Sequence, residues 1–179
     1  MGGPVLYDGP DRGAAWAEFL FEYGAFLPPR EGEVPELPVN NVSYPRELLE
    51  RFRPSWQDGF WKHFLHRELR EAGTRFFSEA RALVRHARVV PLPRFCRERM
   101  DHGRAYAARR GGGAFRVLAA PILPPLLAAR LGREVLRKPG GTRAYLRALP
   151  ALLLAECAWS VGEALGSFAG DGGASRRVF

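Results

Sequence analysis

The chain has 179 residues, 46% of them hydrophobic and 26% charged, which suffices for one domain with a real core and excludes wholesale disorder. Its formal charge is +8, and Lys62 and Lys138 are the two lysines, so the positive charge is almost all arginine. Such an excess suits nucleic acid, an anionic lipid surface or a phosphate-bearing substrate, and it equally follows from a composition biased towards Ala, Gly, Pro and Arg.

The opening MGGPVLYDGP has neither the basic nor the apolar region of a secretory signal, and it reads like the middle of a domain. From Ala14 to Phe26, Trp16, Phe19, Leu20 and Tyr23 recur at helical spacing and predict a helix with an aromatic face, which Pro28-Pro29 stop. After a Glu/Pro loop, Leu37 to Tyr44 (LPVNNVSY) predicts a short strand. Pro45 then opens a helix through Phe52, with proline in its first turn. KHFLHRELREAG predicts a second helix, with Phe64, Leu65, Leu69 and Ala72 on its apolar face and Gly73 as its C-terminal cap. Phe76-Phe77 and Ala82-Leu83-Val84 read as short strands, with His86 directly after them. Pro91 and Pro93 introduce an arginine-rich helix, FCRERMDHGRAYAARR, ended by Gly111-Gly112-Gly113.

The last third changes character. Phe115 to Leu131 is apolar but interrupted by Pro121, Pro124 and Pro125, and REVLRKPGGTR forms a basic hinge. Ala148 to Gly170 is apolar apart from Glu156 and Glu163, long enough for the roughly 20 residues that a bilayer core requires. Each carboxylate costs about 2.5–3.5 kcal/mol at the membrane centre, so spanning is marginal. Glu156, Ser160, Glu163 and Ser167 fall on one helical stripe, while Ala158, Gly162, Gly166 and Gly170 form a seam of small residues. The pattern predicts a helical hairpin in or on a membrane, with Arg116, Arg130, Arg133 and Arg137 near anionic headgroups; a buried helix of a soluble domain is the alternative.

The two cysteines, Cys96 and Cys157, make no metal spacing, and a disulfide framework is not expected. There is no phosphate-cradling Gly loop, no paired-Cys zinc site and no Gly-x-Ser-x-Gly elbow. His63 and His66 are three apart but lack the glutamate of a zinc-protease helix. Glu36 to Tyr44 carries the most chemistry: Asn40, Asn41, Ser43 and Tyr44 can fix sugar hydroxyls, and can as readily scaffold a loop. Tyr and Phe are not interleaved with the arginines as stacking platforms, which counts against nucleic acid.

The ordered series ELPVNNVSYPRELLERF, DGFWKHFLHRELREAG, LVRH and RFCRERMDHGRAYAARR, followed by the apolar tail, resembles the C-terminal portion of bacterial family 2 glycosyltransferases. The resemblance implies an α/β remnant of a GT-A type fold, mostly α-helical with a few short strands and a C-terminal hydrophobic helical hairpin. It implies sugar transfer, with inversion, from a nucleotide-sugar donor to a cell-envelope or lipid-linked acceptor at the cytoplasmic face of the cell membrane. Residues 1–113 would form the acceptor-side portion, 114–170 membrane-associated helices and 171–179 a flexible tail. Asn40, Asn41, Ser43 and Tyr44 would bind the acceptor, and Arg97, Arg99 and Arg104 the diphosphate. The family's divalent cation, Mg or Mn, sits on an Asp-x-Asp motif that this sequence lacks; His86 matches a position near it. The family's catalytic carboxylate falls on Lys62 here, leaving Asp58 as the nearby acid, with a capping role before Gly59 as its alternative. The nucleotide-binding half would come from elsewhere, for instance from a partner chain. The other reading is a non-catalytic basic membrane-binding module or subunit.

Overall fold

The structure, a computed structural model, describes residues 1–57, 59, 61–111, 117 and 120–178. It is mostly helical, with a few short strands and one long apolar helix near its C-terminus. The chain divides into two compact units, Met1–Asp8 with Phe26–His86, and Gly9–Ala25 with Ala87–Phe179. The division departs from a boundary at 113/114, because the arginine-rich helix packs with the apolar helices rather than with the strands.

In the first unit, β1 (Val5–Tyr7) pairs parallel with β4 (Val84–His86), Val5 opposite Val84 and Tyr7 opposite His86. β2 (Gly32–Val34) pairs antiparallel with β3 (Phe76–Ser78). Between β2 and β3 lie α2 (Arg46–Arg51), entered from Pro45, and α3 (Lys62–Glu71). Leu37, Leu65, Leu69 and Phe76 form the core, covered by Val34, Val42, Tyr44 and Trp56. The apolar face predicted for α3 is buried at Phe64, Leu65 and Leu69 but not at Ala72, where the helix has already closed. Gly73 follows at φ +84°, the left-handed conformation that favours glycine after a helix.

The strand expected over Leu37–Tyr44 does not form. Asn41 N–H donates to Pro38 O at 3.3 Å, so the segment turns at Asn40-Asn41 and then makes one isolated bridge, Val42 to Gly2. Proline and paired asparagines favour that turn over a ladder.

In the second unit α1 (Gly13–Tyr23), α4 (Leu92–Arg110) and α5 (Leu123–Val135) all pack on α6 (Gly141–Ala169). α1 buries Phe19, Leu20 and Tyr23 as its spacing predicts, while Trp16 donates to Asp11 at 2.9 Å. Pro124 lies in the first turn of α5, where a missing N–H costs nothing. α6 begins earlier than the apolar run suggests and continues through Pro150. An interior proline is expensive, and the burial of Ala144, Tyr145, Ala148, Ala151 and Leu152 outweighs it. Residues 171–178 also depart from a flexible tail. They end in α7 (Ser175–Val178), with Ala174 buried and Arg177 donating to Asp101 at 2.8 Å.

Candidate functional site

The Asn40–Tyr44 segment is held from three sides within the first unit. Asn41 Nδ2 donates to Pro4 O at 3.1 Å and Ala82 O at 2.6 Å, and Asn41 O accepts from Gly3 N–H at 3.3 Å. One side chain thus staples the turn to the chain entering both parallel strands. Ser43 Oγ donates to Met1 O at 3.3 Å. The Tyr44 hydroxyl lies 2.5 Å from His66 Nε2. Asn40 is exposed and, among the described residues, takes no part in these bonds.

His66 is buried and stacks against Phe76 at 4.5 Å. Burial pushes its pKa down to about 4, with the Lys62 ammonium pushing the same way, so the ring is neutral near pH 7. Tyr44 is pushed above its ordinary range by burial and stays a neutral phenol. A neutral imidazole bonded to a neutral phenol is a rigid structural pair.

One turn away, Glu36 joins the first turn of α3. Its Oε1 lies 3.1 Å from Lys62 Nζ and 2.9 Å from His63 Nδ1. Burial works to raise the Glu36 pKa, but the bonds from His63 and Lys62 overcome it and hold the carboxyl down at about 2. The start of α3 therefore does hold a carboxylate, brought by the loop that follows β2. At that pKa it is always ionised but a weak base, better at fixing Lys62 than at taking a proton. Lys62 also sits over the Phe26 ring at 4.5 Å. Sequence reasoning missed this cluster because nothing local to Glu36 announces a partner 26 positions on.

His86 lies at the other end of the parallel pair. Its carbonyl accepts from Asp8 N–H at 2.9 Å, and Arg85 pairs with Asp8 at 3.6 Å. Asn41 meets the N-terminal ends of β1 and β4, and His86 lies at their C-terminal ends. Asp58 lies outside the described residues. Among those described, no group of three His, Cys, Asp or Glu side chains, with or without His86, is placed to hold a metal ion. An open groove of about 390 Å³ is lined by Glu33, Pro35, Arg70, Thr74, Arg75 and Phe76.

The arginines expected at a diphosphate belong to the second unit. Arg97 is exposed. Arg99 is buried, pairs with Glu22 at 2.7 Å, lies 2.7 Å from His102 Nδ1 and covers the Phe21 and Phe95 rings. Arg104 donates to Gly170 O at 2.9 Å. These last two are spent on internal contacts. Further ion pairs tie this unit together, each with a buried carboxylate. Glu18 on α1 is 2% exposed and 3.9 Å from Arg88, and Glu163 on α6 pairs with Arg110 at 3.3 Å. Burial raises Glu18 to about 7 and pushes His102 down to about 4. The stripe predicted on α6 is thus real as far as Glu156, Ser160 and Glu163, all buried, and it faces protein.

No protein-family model, no curated protein and no solved structure matches this chain.

Proposed function

We propose that the first unit is the acceptor-side portion of a family 2-type glycosyltransferase, an α/β remnant whose donor half is supplied from outside this chain. In the same reading, α5 and α6 form a hydrophobic hairpin that keeps it at the cytoplasmic face of a membrane. The observation that carries the reading is the parallel pairing of β1 with β4. All-parallel sheets occur almost only in layered α/β folds with helices on both faces, and a parallel pair is what a remnant of one retains. The ordered series of segments supports it independently of that pairing. Asn40, exposed at the turn, is the group best placed to meet a sugar.

Saturation-transfer NMR on the full chain tests this, with UDP-glucose as donor probe and short oligosaccharides and a polyprenyl-phosphate glycan as acceptor probes. The expected result is transfer to an acceptor and none to UDP-glucose, with the acceptor signal weakened several-fold in Asn40→Ala. Absence of any acceptor signal, or duplex-DNA binding that falls steeply with salt, overturns it.

One observation favours a second reading, that of a non-catalytic basic membrane-binding module or subunit. Asn41, Ser43, Tyr44, Arg99 and Arg104 all make internal contacts. A chain that floats with vesicles and binds no glycan is that module.

A further inference from the structure

α6 is built the wrong way round for water. Apart from Tyr145 and Leu152, its buried face carries small and charged residues, among them Ala148, Ala155, Glu156, Ser160 and Glu163. Its outward face carries Leu146, Leu153, Leu154, Val161, Leu165 and Phe168, with Leu154 at 55% and Phe168 at 87% exposed. A helix in a water-soluble unit puts its large aliphatics inside and its charges outside. Here the carboxylates meant to make membrane contact costly are turned away from it, and Glu163 is neutralised by Arg110. Over 150–169 the outward face bears no charge for about 30 Å, at about 1.5 Å per residue.

The charge gathers at one end. Arg130, Arg133 and Arg137 near the end of α5 and Arg143 and Arg147 at the start of α6 are exposed, and Tyr145 ties the start of α6 to the middle of α5 by donating to Ala128 O at 2.7 Å. The acids there are Glu134 and Asp11, the latter paired with Arg143 and Arg147. A partner must therefore offer a long apolar surface with negative charge at its rim.

We infer that the outward face of α6 docks in the plane of an anionic bilayer, its side chains among the upper acyl chains and the arginine collar on acidic headgroups. This rests on the membrane-apposed part of the reading above and names its partner. In-plane docking follows from α4. That helix packs along α6 and exposes Arg94, Arg97 and Arg109, each of which would cost about 2.5–3.5 kcal/mol if an upright α6 drew it to the bilayer centre. Each collar arginine contributes about 1 kcal/mol near an acidic surface, an attraction that added salt screens.

Flotation of the full chain with phosphatidylcholine vesicles, with and without phosphatidylglycerol, tests the inference. Binding is expected to require phosphatidylglycerol and to weaken as salt rises. Leu154→Asp with Val161→Asp, both at exposed positions, should retain the helical circular dichroism and lose at least tenfold in vesicle partition. Arg133→Glu with Arg137→Glu should weaken binding to the phosphatidylglycerol vesicles and flatten its dependence on salt. Equal binding to both vesicle types, unchanged partition of the Leu154/Val161 variant, or a dimer that this variant converts to monomer would each overturn it. A failure to bind glycan in the NMR experiment leaves these outcomes untouched, so the two readings fail separately.

Discussion

His66 is buried against Tyr44 and Phe76, and its Nε2 is bonded to the Tyr44 hydroxyl. Tyr44→Phe strips that bond from a buried ring and should cost about 1–3 kcal/mol in urea unfolding. Adding His66→Phe, which removes both polar groups together, should recover part of the loss. The same pair sets an acid response. The folded pKa of His66, about 4, lies below its unfolded value of 6.5, so between these values the unfolded state binds the extra proton. Its contribution is present above pH 6.5 and is lost as the pH falls through 4, roughly 3 kcal/mol at about 1.36 kcal/mol per pH unit. Urea titrations at a series of pH values should show that slope and its reduction in the double variant. His102 keeps its own slope of the same sign, since burial holds it at about 4 as well. None of this is visible in KHFLHRELREAG, where two histidines three apart look alike. His63 faces Glu36 at the surface and His66 faces the core, a difference set by residues 22 to 27 positions away.

At the scale of elements, α4 and α6 approach until backbone meets backbone. A Cβ placed on Gly162 would collide with Met100 O, one on Gly166 with Arg104 O, and one on Gly103 with Trp159 O. Gly162→Leu must part the helices and with them the Arg110–Glu163 pair, and should cost at least about 2–3 kcal/mol in a thermal or urea melt. Its neighbour Val161 points outward, so Val161→Ala should stay within about 0.5 kcal/mol. The seam of small residues was legible from its four-residue period, and so were α1, α3, α4 and the apolar faces of Phe19, Leu20, Leu65 and Leu69, because helical spacing is a local signal. The Leu37–Tyr44 strand was misread, because its alternating apolar residues serve a turn that is fixed from Pro4 and Ala82. Which way the α6 stripe faces was also hidden: periodicity places Glu156 and Glu163 on one side of the helix without saying whether lipid, water or protein lies there.

For the whole molecule the chain path matters more than any single contact. It leaves the first unit after Asp8, contributes α1 to the second, returns at Phe26 and leaves again after His86, so neither unit is one continuous segment. No composition shift marks those crossings, which is why the sequence suggested a boundary at the Gly111–Gly113 run instead. The consequence is testable by dissection. A fragment of residues 87–179 keeps α4, α5 and α6 but loses α1, and with it Phe19 and Leu20, both fully buried in the intact chain. Each such side chain is worth about 1.5–3 kcal/mol on burial, and α1 also buries Ala15, Ala17 and Tyr23, so the loss approaches the roughly 5–15 kcal/mol that holds a domain folded. The fragment should retain helical far-ultraviolet circular dichroism, lose near-ultraviolet signal from Trp159 and Tyr145, and bind the dye ANS. A peptide spanning residues 9–25 added in trans should restore the near-ultraviolet signal and expel the dye, because it returns the missing face of the α6 bundle. A fragment that is natively packed without the peptide would mean that α1 is a surface addition rather than a part of this core.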